Sequence, residues 1–150
     1  MAEAEIKIVC RNKRAGFLYH IEGRKEAGIA LRGSEVKSLR DGQADLSDAY
    51  AEFVGHELWL VKAHIAEYVN AGYMTHVPKR SRKLLMHREE LHRLEVKLAE
   101  RGYTIVPLAI YFKKGKAKVE LGLARGKKKT DRRESIRQRD EERSRRRGDR

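Results

Sequence analysis

Apolar residues alternate with polar ones over most of the first 124 positions, and this two-residue period predicts a chain built mainly from strands. In "FLYHIEGRKEAGIALRG", residues 17–33, Phe17, Tyr19 and Ile21 share one face, and Ala27, Ile29 and Leu31 share another. The spacing predicts two extended segments, with a turn over Glu22–Glu26 that uses the freedom of Gly23. "SEVKSLRDG", residues 34–42, changes to a helical period. Ser34 is placed to cap it, Glu35 suits its positive end, Lys37 and Arg40 suit its last turns, and Gly42 ends it. Residues 49–66 read as a hairpin turning at Gly55 and His56, with Trp59, Val61, Ala63 and Ile65 on one face. Residues 67–83 carry Gly72, Pro78 and four basic residues from Lys79 to Lys83, and read as a long, exposed, positive loop. Leu91, Leu94 and Leu98 mark the stripe of a helix over 87–102, closed by Gly102. Two last strands alternate through Val106, Leu108, Ile110 and Phe112, then through Ala117, Val119, Leu121 and Leu123, joined at Lys113–Gly115. Pro107 cannot donate to a ladder and belongs at an edge or a bulge.

About six short strands with flanking helices favour a mainly β fold, an OB-fold-like antiparallel barrel. A two-layer α+β sheet is the alternative. The expected organisation is an OB-fold-like body over residues 1–124 and a basic tail over 125–150. Residues 134–150 hold one aliphatic side chain, Ile136, so they cannot build a core and are expected to be disordered in the free chain.

Charge changes the picture from fold to partner. The chain of 150 residues has a formal net charge of +13. Residues 125–150 supply +7 of it, from 13 basic and 6 acidic groups. A surplus of this size implies a polyanion, most often nucleic acid. The longest apolar run, Ile105–Phe112, is eight residues and too short for a bilayer. A cytoplasmic location is expected, because the single cysteine, Cys10, forms no internal disulfide and "MAEAEIKIVCR" lacks a leader pattern.

Candidate chemistry narrows the reading further. His87 and His92 lie five apart, about 140° off a shared helix face, and chelate poorly. One cysteine cannot seed a Cys-rich zinc site, and Cys10 reads as a small packed hydrophobe. "GLARGKK", residues 122–128, has three residues between its glycines and no Ser or Thr after Lys128, so it is not a phosphate loop. No enzyme, metal or cofactor is expected. What remains is basic residues interleaved with aromatics, the pattern of a surface that neutralises phosphate and stacks unpaired bases.

In their order and spacing, "NKRAGFLYHIE", "EAGIALRGSEVKSLRDG", "RSRKLLMHREEL" and "VELGLARGKKKTDRR" resemble the SsrA-binding protein family, small protein B. The resemblance runs from Asn12 to Arg133. It implies an OB-fold-like barrel without catalysis that clasps the tRNA-like domain of transfer-messenger RNA. It also implies delivery to the vacant A site of a stalled ribosome, indirectly with elongation factor Tu and GTP. On this resemblance Asn12, Tyr19, Glu26, Leu85, Lys118, Leu123, Ala124 and Gly126 face the RNA. Glu26 is the odd member. A carboxylate repels phosphate, so it accepts from a base or 2′-hydroxyl, orients a basic neighbour, or merely caps a turn.

The same resemblance gives the tail its task. It occupies the small-subunit decoding centre and the empty messenger path, becoming helical there. Lys127, Lys128, Asp131, Arg132 and Arg133 match the element needed for accommodation. Thr130 stands where relatives often carry Tyr or His, a departure from the stacking contact with ribosomal RNA that the resemblance implies there. A generic OB-fold RNA binder or ribosome-associated protein is the alternative, because one fold hosts many functions.

Overall fold

The computed structural model describes residues 6–68, 76–100 and 102–126. Six strands close into a ring. They are β2 (Tyr19–Ile29), β4 (Tyr50–Val54), β5 (Glu57–Val61), β7 (Arg82–Leu85), β8 (Tyr103–Lys113) and β9 (Lys116–Gly126). Their order is β8-β4-β5-β7-β2-β9, and β9 pairs back onto β8. Every pairing is antiparallel. The strand β1 (Ile6–Arg11) lies on β8 over residues 109–113, beyond the point where Ala51 of β4 meets Ile105. A small sheet pairs β3 (Ala44–Asp45) with β6 (His64–Ile65). The helices are α1 (Ala15–Leu18), α2 (Gly33–Arg40) and α3 (Arg88–Leu98). This is the OB-fold-like barrel that the alternation predicts, and it removes most open sheet edges.

The barrel interior is filled by Leu58, Leu60, Leu84, Ile105, Ile110, Val119 and Leu121, each 1% exposed or less. Leu94 of α3 is buried on this core, with Leu91 and Leu98 packed beside it, so the predicted leucine stripe holds. Cys10 packs against the same core, and burial pushes its thiol up. Lys114 and Gly115 both have positive φ, 53° and 75°, which is the two-residue turn that matches strand twist and fixes Lys113 opposite Lys116. β9 continues through Gly126, two residues past the expected body.

Several local expectations are corrected. Residues 19–29 form one strand, with no turn at Glu22–Glu26; the irregularity there is a bulge between Ile21 and Gly23, and β9 pairs with β2 on both sides of it. Phe17 belongs to α1. Leu58 and Leu60 point inward instead of Trp59 and Val61, because "ELWLV" is apolar on both faces and alternation alone cannot choose. Lys62, at φ 64°, then resets the phase so that Ala63 and Ile65 are buried. β8 behaves similarly. A bulge between Pro107 and Ala109 sends Ile105 and Ile110 into one core, while Val106 and Leu108 join a second cluster with Ala15, Tyr19, Ile21 and Ala124. Pro107 sits at a bulge, as expected.

The start of α2 holds the largest surprise. Its N-cap is Arg32, not Ser34, and the Arg32 N–H donates to the Glu35 carboxylate at 2.8 Å. Ser34 is buried inside the first turn, against Nδ1 of His76 at 2.9 Å. His76 Nε2 lies 2.9 Å from the Ile65 carbonyl, which can only accept, so Nε2 carries the hydrogen and Nδ1 shares the other hydrogen bond with the Ser34 hydroxyl. Glu35 is fully buried. It accepts from Arg80 Nη2 at 2.5 Å and from Arg82 Nε. Arg82, also fully buried, donates on to the carbonyls of Ala63 at 2.7 Å and Pro78 at 3.0 Å. The segment read as an exposed basic loop therefore sends Arg82 into the protein as the first residue of β7; residues 69–75 of that reading lie outside the described residues. One carboxylate thereby ties α2 to the Pro78 turn and to the barrel wall.

Burial by itself would raise the Glu35 pKa, but Arg80, the Arg32 N–H and Arg82 outweigh it and hold the carboxyl below the ordinary glutamate value of 4.5. A depressed folded value means the stabilisation is complete above 4.5 and is lost as pH falls through the folded value. In urea titrations, Glu35→Gln is expected to be less stable than the parent at pH 7, and the gap is expected to narrow steadily as pH falls below 4.5. A gap that stays constant down to pH 3 contradicts the assignment.

Candidate nucleic-acid interface

Strand register brings three of the expected RNA-facing residues together. Leu85 of β7 opposes Gly28 of β2, Gly28 opposes Lys118 of β9, Lys118 opposes Tyr111 of β8, and Tyr111 opposes Ile8 of β1. The next outward row runs Glu26, Glu120, Ala109 and Arg11. Residues between these rows, Ala27, Ile110 and Val119, fill the core, which fixes both rows on the outer face. Leu85 is 50% exposed there. A Cβ at Gly28 would stand 3.3 Å from the Leu85 Cβ, so glycine keeps the space between Leu85 and Lys118 open. Lys118 makes no hydrogen bond or ion pair with the described residues and presents a free cation.

Glu26 is explained by its neighbours. The Tyr111 hydroxyl donates to its Oε2, and Lys113 Nζ lies 3.4 Å from the same oxygen. The Tyr111 hydrogen bond, aided by Lys113 and Lys118, holds the Glu26 carboxyl below its ordinary range. Burial, together with the Glu26 carboxylate, pushes the Tyr111 hydroxyl well above its own. Glu26 is thus a fixed anion that orients a tyrosine and a lysine. It is not a turn cap, since no turn exists there.

A second group gathers at the far end of β9, eight residues or about 27 Å along the strand. Tyr19 opposes Gly126 and packs, half-buried, on the second apolar cluster. Asn12 is clamped to the β8 bulge: its Nδ2 donates to the Pro107 carbonyl at 2.9 Å and its backbone N–H to Leu108 at 2.8 Å. Its Oδ1 is buried without a partner. Ala124 is fully buried, and Leu123 turns toward the main core, so neither side chain adds to the outer face. Lys127, Lys128, Asp131, Arg132 and Arg133 lie outside the described residues.

Sequence reasoning missed a cluster beside this second group. Tyr103 opposes Arg125, whose guanidinium carbon lies 4.6 Å from the ring centroid, with Lys97 Nζ at 5.0 Å. The Tyr103 hydroxyl donates to Glu22 at 2.6 Å. The two-residue turn and the single bulge together put Tyr103 opposite Arg125, so the turn was the usable signal and the bulge the hidden one. Among the described residues no three His, Cys, Asp or Glu side chains come together to hold a metal. No described helix is long and apolar enough to cross a membrane.

A closed antiparallel barrel whose outer rows offer an unpaired lysine, an exposed leucine and an oriented carboxylate defines a small OB-fold module of the nucleic-acid-binding kind. Comparison with known proteins makes this specific. The family model described as SmpB protein matches residues 9–150, and the chain belongs to the SmpB family. The SsrA-binding protein of Myxococcus xanthus (strain DK1622) is 53% identical over 142 residues, covering 95% of this chain and 88% of that protein. The SsrA-binding protein of Rickettsia canadensis (strain McKiel) is 53% identical over 135 residues, covering 89% of each. A solved chain described as "tmRNA-SmpB: a journey to the center of the bacterial ribosome" superimposes with a TM-score of 0.69 at 47% identity, covering 85% of this chain and 94% of that one.

Proposed function

We propose that this chain is the RNA-binding adaptor of trans-translation. Its barrel binds the tRNA-like domain of transfer-messenger RNA and brings it to the A site of stalled ribosomes. Elongation factor Tu with GTP carries the complex, and the basic tail fills the decoding centre and empty messenger channel. The chain acts in the cytoplasm and supplies binding and geometry; bond-making belongs to the ribosome. The observation that carries this reading is the convergence of Glu26, Leu85 and Lys118, far apart in sequence, on two adjacent rows of one outer face. Lys118 neutralises a phosphate, Leu85 packs on an unpaired base, and Glu26 accepts from a base or 2′-hydroxyl while keeping Lys113 near the backbone.

Gel-shift titrations across salt test it. Lys118→Ala is expected to weaken transfer-messenger RNA binding and to reduce the slope of log affinity against log salt by about 0.7–0.9, the share of one phosphate contact. Leu85→Ser is expected to weaken binding with the slope unchanged. Parent-like affinity and slope in both variants contradict the reading.

A further inference from the structure

On the outer face, β1 and β2 flank a hollow of about 420 Å³ whose floor is Ala109 and Tyr111. One wall is apolar and open to solvent: Ile6 and Ile8, on the edge strand β1, are 53% and 45% exposed. Lys7 and Cys10 alternate away from them, opposite Phe112 and Ile110 of the core, so the exposed isoleucines belong to the outer face by register. Two large aliphatic side chains left in water on one face cost solvation unless a partner covers them. The rim is charged. Arg11 and Lys25 form no ion pair with the described residues, and Arg24 reaches Glu120 at 3.3 Å. Glu26 also lines the hollow, its Oε2 engaged by Tyr111 and Lys113, which leaves Oε1 as the acceptor for a ligand.

We propose that this hollow is a subsite for one unpaired nucleotide of the bound RNA, resting on the adaptor reading above. Its base lies on the exposed side chain of Ile8. A base amino group or 2′-hydroxyl donates to Glu26 Oε1, and Arg11 holds a flanking phosphate. An apolar wall, an oriented acceptor and a free cation within one hollow match the three parts of a nucleotide. The volume lies within the range of small-ligand sites, about 300–1,000 Å³. The hollow continues the face that holds Leu85 and Lys118, sharing Tyr111 with their row. Tyr111 is a positioning residue here: it touches Glu26, and through Glu26 the RNA.

The test measures affinity and salt slope of the full-length chain for transfer-messenger RNA. Ile8→Ser is expected to weaken binding about tenfold with the slope unchanged, as loss of an apolar contact should. Arg11→Ala is expected to lower the slope by about 0.7–0.9. Tyr111→Phe is expected to weaken binding in the parent and to have little further effect in Glu26→Gln; a purely packing role for the ring would give no loss in either background, and a hydroxyl contact independent of Glu26 would give equal losses in both. Val96→Ser, a change at a somewhat more exposed apolar position on α3, is expected to leave binding untouched. Parent-like affinity and slope in Ile8→Ser and Arg11→Ala, with Lys118→Ala impaired, overturn the subsite while the adaptor reading stands. The same result with impaired peptide tagging moves the hollow to a protein contact and equally overturns it. If the parent itself does not distinguish transfer-messenger RNA from bulk tRNA, both readings fall together.

Discussion

Glu35→Ala is expected to lower the unfolding free energy by about 3–5 kcal/mol, the cost of leaving a buried charge without its partner. Arg82 is the charge left behind. It is fully buried, and its carbonyl partners at Ala63 and Pro78 cannot neutralise it. The same change removes the acceptor of the Arg32 N–H at the start of α2 and the partner of Arg80. Three elements therefore lose their tie at once: α2, the Pro78 turn and β7. Domains of this size keep about 5–15 kcal/mol in hand, so the loss takes a large share of the total. Urea unfolding of Glu35→Ala, Arg82→Ala and the double variant checks it. The double variant is expected to lose far less than the sum of the singles, because the second change removes a group already stranded. Additive losses, or a single-variant loss under about 1 kcal/mol as for an exposed pair, contradict the network.

Removal of residues 134–150 is expected to do the opposite: to leave fold and transfer-messenger RNA affinity nearly intact while abolishing peptide tagging on stalled ribosomes. This segment has Ile136 as its one aliphatic residue and cannot contribute to the barrel core. Glu141–Arg145 and Glu142–Arg146 favour a helix at i,i+4, whereas Arg139–Arg143 and Arg143–Arg147 repel. Surrounding RNA phosphate would relieve like-charge repulsion of this kind. Reconstituted tagging and gel shifts, run on the same truncated chain, separate the two functions. A loss of RNA affinity as large as that of Lys118→Ala contradicts the division of labour.

The barrel was legible because its strands alternate and its turns carry their own chemistry. The Gly55-His56 hairpin, the Lys114-Gly115 turn and the Leu91–Leu98 stripe could all be read directly. Phase was not legible wherever the backbone departs from a regular pleat. The bulges at Ile21–Gly23 and Pro107–Ala109, and the positive φ of Lys62, each exchange inside for outside. The site follows the same division. Glu26, Leu85 and Lys118 could be singled out by resemblance, but their shared face depends on register, which no local pattern specifies. The buried Glu35–Arg82 pair was invisible for a different reason. Composition places charges at the surface, and only tertiary packing shows which arginine in "KRSRK" has a carboxylate waiting for it.

The outer face of this barrel is expected to select the tRNA-like domain of transfer-messenger RNA, and not merely to bind phosphate. Competition binding measures it most directly: labelled transfer-messenger RNA on the full-length chain, displaced by ordinary tRNA at physiological salt. A large excess of tRNA is expected to be needed for half-displacement, and that excess is expected to shrink for Glu26→Gln. Displacement by an equal concentration of tRNA would contradict it.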